Sequence, residues 1–186
     1  MLPRRKNTDL DISSYCISRV TVLAYGRRFF TEPLHTDLRQ GMNERLKDAP
    51  DLLVYTDGAS RGNPGHAAIG YAIFDKTGSC REKDGRYVGT KTNNEAEYEA
   101  LLMAIERAMS HSKDSVKFHS DSELMVHQVN GVYQVKKDHL RRYVERIQEK
   151  TRGFASFRLI YVPRENPRIQ LVDGIVNKVL DDQMGR

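Results

Sequence analysis

Cysteine and long apolar runs are both scarce in this sequence. Only Cys16 and Cys80 occur among the 186 residues, far apart and without metal-site spacing, so we expect reduced thiols in a cytosolic protein. No apolar run approaches the roughly 20 residues needed to span a bilayer, which predicts a protein without a membrane partner. The basic residues 1–6 are not followed by the apolar core of a signal peptide, so we expect a cytoplasmic location.

A strong excess of one charge is also missing. The 30 lysines and arginines against 25 acidic residues give a net charge of +5, which permits a nucleic-acid partner without requiring one. An apolar fraction of 39% is sufficient for a hydrophobic core. The length suits one domain with an appendage, and we expect a monomer.

The appendage is predicted at the start of the chain, with residues 1–50 as an N-terminal extension of uncertain structure and residues 51–186 as the main domain. A strand-like stretch at residues 16–25 is followed by two arginines and two phenylalanines at residues 27–30. Basic and aromatic side chains together suit contact with nucleic acid. The favoured alternative is a loosely packed leader, because disorder concentrates at chain ends.

The stretch YTDGASRGNPG (residues 55–65) is the most informative part of the main domain. A short apolar run at residues 52–56 predicts a strand that ends on the carboxylate of Asp57. Three glycines and a proline follow within eight residues and predict a tight turn. A carboxylate at the end of a buried strand must be solvated, paired or bound to a metal. The simpler alternative is an ordinary Asp-Gly turn.

The remaining pattern predicts a mixed sheet with helices packed on it, because three successive strands are followed by alternating helices and strands. The predicted strands are residues 52–56, 67–74, 80–88, 116–120 and 154–162, and the predicted helices are residues 92–109, 121–130, 138–150 and 171–182.

Three further carboxylates stand at informative positions. Glu97 shares a helical stripe with Leu101 and Ile105, although acidic residues are usually exposed. Asp121 follows the fourth strand, and Asp173 falls in the first turn of the last predicted helix. Each of these two could simply stabilise a helix start.

Together with Asp57, these carboxylates suggest one site, because strand ends and helix starts can meet at the same sheet edge. Four converging carboxylates need a cation, and hard oxygen ligands favour Mg²⁺ or Mn²⁺ over zinc. Two such ions about 3.5–4 Å apart can activate water and stabilise the leaving oxygen of a phosphodiester.

Five blocks of this sequence resemble those of type 1 ribonucleases H, and the first three have the order and spacing of the signature blocks of that family. They are YTDGASRGNPG (55–65), TNNEAEYEAL (92–101), SDSEL (120–124), NGVYQVK (130–136) and VPREN (162–166). The last two resemble the archaeal-like branch, and the resemblance covers about residues 51–182.

The resemblance implies a ribonuclease H fold, an α/β fold with a five-stranded mixed sheet of order 3-2-1-4-5 and helices on both faces. It implies hydrolysis of the RNA strand of RNA–DNA hybrids, leaving 5′-phosphate and 3′-hydroxyl ends. By the family pattern, Asp57 contacts both metal ions and Glu97 and Asp121 complete the site of one. Asp173 helps to hold the ion that activates the attacking water.

Substrate contacts are implied for four further residues: Gly62, Asn63, Asn93 and Asn94. Glu165 stands where well-known bacterial members carry a histidine thought to aid product release, and it could instead pair with Arg164 or Arg168. The loop from Glu165 to Asp173 is about two residues longer than usual in the branch, which makes Asp173 the least secure ligand. Asp181 and Asp182 are the alternatives.

Two other functions stay open at this point. Some archaeal-like members also cleave double-stranded RNA. A ribonuclease H-like module that binds nucleic acid without cutting it is the alternative from another class. The presence of all four acidic residues argues against that alternative.

Overall fold

The computed structural model describes residues 49–185, and the predicted extension lies almost entirely outside them. Within this part of the chain, the elements in order are β1 (Leu52–Gly62), β2 (Gly65–Asp75), β3 (Cys80–Lys91), α1 (Asn93–Met109), β4 (Ser115–Ser120), α2 (Glu123–Val129), α3 (Asp138–Thr151), β5 (Ser156–Tyr161) and α4 (Pro167–Met184). None of the helices in residues 49–185 combines the length and apolar character needed to cross a membrane.

The five strands form one mixed sheet in the order β3-β2-β1-β4-β5, which confirms the predicted topology. The first three strands are antiparallel neighbours, as expected for strands joined by short turns. β4 is parallel to both β1 and β5, and each of those connections contains a helix.

Helices cover both faces of the sheet. α1 packs over β1 and β2, and its side of the sheet carries the larger core, which includes Val54, Leu101 and Phe118. α4 crosses β1, β2 and β3 on the opposite face, where Ile169 and Val172 are fully buried. Because successive side chains of β1 point to opposite faces of the sheet, this strand contributes residues to both cores.

A capping box begins α1 immediately after the third strand. The Thr92 hydroxyl accepts a hydrogen bond from the Glu95 backbone N–H at 3.3 Å, and the Glu95 carboxylate accepts one from the Thr92 N–H at 2.8 Å. Both bonds satisfy donors that a helix start leaves open, so the position of the first turn is well defined. Glu97 lies in the turn that follows.

β1 is longer than the sequence predicts, and the expectation that Asp57 ends this strand is wrong. β1 continues to Gly62 because β2 supplies antiparallel partners along its whole length. Its parallel pairing with β4 stops at Tyr55 and His119. Asp57 therefore lies inside β1, just beyond the point where β4 leaves the sheet.

The last helix also begins earlier than predicted. The Asn166 side chain accepts a hydrogen bond from the Arg168 backbone N–H at 2.9 Å, and Pro167 occupies the first helical position. Both features favour a helix start. Asp173 consequently lies in the second turn of α4, and the prediction of a first-turn position is wrong.

Gly58 allows α1 to approach β1 more closely than any other residue would permit. A Cβ atom at position 58 would lie 2.3 Å from the Ala96 carbonyl carbon and 2.6 Å from the Glu97 backbone nitrogen. Both are backbone atoms, so no side-chain rotation could relieve the contact. The strand residue after Asp57 therefore touches the helix backbone beside Glu97.

We expect Gly58→Ala to lower the free energy of unfolding by about 3 kcal/mol, because the helix must move away from the strand. Urea denaturation of both proteins measures this change. Gly174→Ala in α4 is the matched control, since a Cβ there would meet nothing within 4 Å. That control should be unchanged or more stable by up to about 1 kcal/mol. Equal effects of the two substitutions would contradict the proposed backbone contact.

Candidate active site

Three of the four predicted carboxylates converge at the edge of the sheet where β4 ends. Asp57 comes from β1, Glu97 from α1, and Asp121 from the residue that follows β4. One oxygen of each lies within 4.8 Å of the corresponding oxygens of the other two. The close approach at Gly58 and the early end of β4 together create this convergence.

The inward oxygens of these carboxylates have no hydrogen-bond partner. Among residues 49–185, four side-chain polar atoms of this kind are inaccessible to solvent and unpartnered, and three of them are Asp57 Oδ2, Glu97 Oε2 and Asp121 Oδ1. A buried carboxylate oxygen without a partner is costly in free energy. Three such oxygens on carboxylates that converge at one place indicate that a cation belongs there.

The pKa values of all three groups are raised, as expected for like charges that share a buried site. Burial raises the pKa of Asp57 to about 7, and the charges of Asp121 and Asp173 add to the increase. The pKa of Glu97 lies well above its usual range, first because of burial and then because of Asp57 and Asp121. Burial also raises the pKa of Asp121. A bound cation would favour the ionised form of each group.

The donor set fits a hard divalent cation. It consists of carboxylate oxygens alone, without histidine or cysteine, and such ligands suit Mg²⁺ or Mn²⁺ better than zinc. The acidic cluster can therefore hold a metal ion of the class that the sequence predicts.

Asp173, the fourth predicted ligand, lies outside the three-carboxylate cluster. Its Oδ1 accepts a hydrogen bond from Arg164 Nη2 at 2.9 Å, and its Oδ2 accepts one from Asn177 Nδ2 at 2.9 Å. Its negative charge nevertheless contributes to the raised pKa of Asp57, so it borders the site.

The sequence pattern did not predict that Arg164 lies beside the carboxylate cluster. Its guanidinium group neutralises Asp173, and its charge also lowers the pKa values of Asp57 and Asp121. The available signal was its position three residues after β5, whose carboxyl end lies beside that of β4. Basic residues at such an edge are candidates to face the acidic cluster.

The predicted substrate residues fall into two groups. Asn63, in the turn between β1 and β2, accepts a hydrogen bond from the Asn93 backbone N–H at 3.2 Å, and Gly62 precedes it in an exposed position. The Asn93 side chain in turn donates to Glu97 Oε1 at 3.2 Å, which links this turn to the carboxylates.

Asn94, in contrast, lines a separate open groove of about 470 Å³. Its other lining residues are Leu124, Gln128, Val132, Tyr133, Gln134, Lys136, Lys137 and Leu140. The groove therefore combines basic, aromatic and apolar side chains beside the start of α1.

Glu165 is exposed, and its carboxylate forms no hydrogen bond or ion pair with any other residue between 49 and 185. The two arginines considered as its partners are engaged elsewhere. Arg164 pairs with Asp173, and Arg168 donates from Nη1 to the Tyr55 hydroxyl at 3.4 Å. The carboxylate of Glu165 is consequently available to solvent.

Sequence comparison identifies the family of this domain. The sequence model of the family described as reverse transcriptase-like matches residues 55–174. The curated protein Ribonuclease HI of Halobacterium salinarum is 38% identical over 129 residues, which cover 69% of this chain and 64% of that protein. The chain thus matches slightly less than two thirds of the length of that relative.

Solved structures show the same relationship. The crystal structure of RNase H1 from Halobacterium salinarum has a TM-score of 0.67 at 36% identity, covering 70% of this chain and 98% of that one. LC11-RNase H1, isolated from compost by a metagenomic approach, was solved in complex with an RNA/DNA hybrid. That structure has a TM-score of 0.67 at 35% identity and covers 72% of this chain and 99% of its own. The chain therefore belongs to the reverse transcriptase-like family, and within it to the ribonuclease H1 proteins.

Proposed function

We propose that this protein is an endonuclease that hydrolyses the RNA strand of RNA–DNA hybrids. The observation that carries the proposal is the group of three unpartnered carboxylate oxygens from Asp57, Glu97 and Asp121. Kinship to ribonuclease H1 proteins supports it, and the hybrid bound by LC11-RNase H1 indicates the substrate class.

Two Mg²⁺ ions, or Mn²⁺ in their place, are the cofactors in this proposal. When bound, such ions polarise the scissile phosphate and lower the pKa of water, so that water can lose a proton and attack the phosphorus near neutral pH. The three clustered carboxylates would hold them, with Asp57 at the centre because it is the most buried. The new bond joins the water oxygen to phosphorus while the bond to the ribose 3′ oxygen breaks. The products are a 3′-hydroxyl and a 5′-phosphate.

Asp173 would complete the site from α4. Its ion pair with Arg164 keeps the carboxylate close to Asp57 while Arg164 offsets part of the repulsion. Arg164 is also a cation at the rim of the acidic cluster, where a phosphate oxygen of the substrate could accept a hydrogen bond from it.

The hybrid would lie across the turn and helix start that border the carboxylates. In this proposal Gly62, Asn63 and Asn93 would contact the RNA strand, where amide groups can recognise the 2′-hydroxyl. The groove beside Asn94 would take the DNA strand, since Lys136 and Lys137 line it. Glu165 would assist product release from its exposed loop. A monomeric state and a cytoplasmic location stay predictions.

A cleavage assay with end-labelled RNA tests the function directly. The RNA is paired to DNA, paired to RNA or single-stranded, and each form is incubated with Mg²⁺, with Mn²⁺ or with a chelator. We expect metal-dependent cleavage of the hybrid. We also expect Asp57→Asn to lower the rate by more than about 100-fold. Removing a direct ligand of a metal ion lowers activity more than removing a residue that is only hydrogen-bonded to such a ligand. Asp84→Asn, on the exposed face of β3, should leave the rate unchanged.

The other outcomes of this assay are equally informative. Cleavage of the RNA duplex as well would assign the protein to the broader-specificity members of the archaeal-like branch. A fully active Asp57→Asn variant would refute the proposed site. Folded protein that binds the hybrid but cuts none of the three substrates would favour the non-catalytic module.

The raised pKa of Asp57 predicts a pH-dependent response to metal. A carboxyl group whose folded-state pKa is raised from about 4 to about 7 destabilises the metal-free protein increasingly as pH rises through that window. A divalent cation removes this penalty by stabilising the ionised form. Mn²⁺ should therefore raise Tm by about 3 °C more at about pH 8 than at about pH 5, equivalent to about 1 kcal/mol.

Differential scanning calorimetry with and without Mn²⁺ measures this difference. Asp57→Asn cannot ionise at that position, so the pH dependence of the metal-induced shift should be smaller in this variant than in the wild-type protein. An equal metal-induced shift of the wild-type protein at both pH values would contradict the assignment of Asp57 as a buried ligand.

We also propose that residues 51–186 form the ribonuclease H domain and that residues 1–50 are an extension outside it. Deleting residues 1–48 should leave kcat/KM for the hybrid within about twofold, because the four proposed catalytic carboxylates all belong to residues 49–185. Hybrid affinity measured across salt concentrations checks the accessory-module alternative. A weaker affinity together with a shallower salt dependence would show that the extension contacts phosphates.

A further inference from the structure

A stack of four side chains lies beside the carboxylate cluster, on the face of the sheet that α4 covers. It consists of Phe74, Arg168, Tyr55 and His119, and we call it the arginine stack. The Arg168 guanidinium carbon lies 4.2 Å from the Phe74 ring centre and 5.3 Å from that of Tyr55. On its other side, Tyr55 stacks against His119 with ring centres 4.5 Å apart and an angle of 13° between the planes.

The members of this stack precede the predicted ligands closely in the chain. Tyr55 is two residues before Asp57 and His119 is two residues before Asp121. Alternate residues of a strand share a face, so Tyr55 and Asp57 project on the same side of β1. Arg168 precedes Asp173 by five residues and follows Arg164 by four. The arginine stack thus joins the three elements that carry Asp57, Asp121 and Asp173.

Arg168 supplies the directional contact at the start of α4. The helix otherwise meets the sheet here through apolar residues such as Ile169 and Val172, whose packing is not directional. Arg168 adds a hydrogen bond to the Tyr55 hydroxyl and a cation–π contact with each of two rings. An ion pair between α4 and β1 joins Asp181 to Arg61 at the far end of the helix.

The chemistry of this contact requires an arginine. A planar guanidinium group can stack on one ring while donating to a hydroxyl, which a lysine ammonium group cannot reproduce. The attraction of a cation to the face of an aromatic ring adds to the packing of the two groups. Together with the hydrogen bond, it favours one position of the first turns of α4 on the sheet.

We propose that Arg168 is a positioning residue for the reaction, which holds the start of α4 so that Asp173 faces Asp57 and Asp121. The inference rests on the proposed function and deepens it. Arg168 anchors the start of α4 to β1 through Tyr55 and to β2 through Phe74, and Tyr55 in turn stacks on His119 of β4.

The test compares Arg168→Met and Arg168→Lys with the wild-type protein. Arg158→Met is the matched control, because Arg158 is an exposed arginine of β5. For both Arg168 variants we expect kcat to fall by about tenfold to 100-fold, the scale of a misplacement of about 1 Å. KM for the hybrid should stay within about twofold, and the metal concentration for half-maximal activity should rise. The lysine variant should not restore kcat.

A double-mutant cycle separates positioning from a general structural role. If Arg168 acts through Asp173, Arg168→Met should lower kcat little further once Asp173 is asparagine, because the two effects are then not additive. Fully additive losses, an unchanged kcat in the single variants, or a similar loss in Arg158→Met would overturn the proposal. If the methionine variant does not fold, the same double-mutant cycle is measured with Arg168→Lys.

A readout without catalysis distinguishes failure of this inference from failure of the proposed function. Absence of hybrid cleavage by the wild-type protein would refute the function alone. The Mn²⁺ concentration that produces half of the maximal rise in Tm would still report on the site. We expect Arg168→Met to raise that concentration severalfold and to have no such effect beside Asp173→Asn. An unchanged concentration would overturn the positioning role.

Discussion

Mutual repulsion among buried carboxylates is the constraint on which the rest of this structure depends. Oxygens of Asp57, Glu97 and Asp121 lie within 4.8 Å of one another, and each carboxylate has a buried oxygen without a hydrogen-bond partner. Burial and like charge both oppose this arrangement. The backbone imposes it through the end of β4, the capped start of α1 and the contact at Gly58. The folded chain therefore carries a local free-energy cost that a bound divalent cation would offset. Stability and cation binding would then be coupled at the same three side chains.

Local pattern was sufficient to predict most of the architecture. The order of strands and helices follows from the apolar runs and turn residues, and Thr92 stood at a recognisable helix start. Glu97 could be selected because an acidic residue in line with Leu101 and Ile105 is unusual. The order of the strands in the sheet came only from the resemblance to a known family, since strand order depends on contacts between distant segments.

The errors have two physical causes: a tertiary partner extends one element beyond its local signals, and a local cap that the pattern analysis overlooked starts another element early. Asp57 lies inside β1 because β2 continues to pair with the strand past that point. Asp173 lies in the second turn of α4 because Asn166 and Pro167 start the helix early. Arg168 and Tyr55 are separated by 113 residues, so no local pattern could reveal their contact. The position of Arg164 beside the carboxylates likewise depends on the pairing of β4 with β5, which joins distant segments of the chain.

The backbone contact at Gly58 has a consequence for how this protein can change over evolutionary time. The main chains of β1 and α1 touch at this point, so the close approach of Asp57 to Glu97 requires that position 58 has no side chain. Any other amino acid there would place its Cβ atom against the α1 backbone and move the two carboxylates apart. A larger residue elsewhere in the interface meets side chains that can rotate, whereas one at position 58 meets backbone atoms that cannot. We therefore expect sequence change at this interface to be most restricted at position 58.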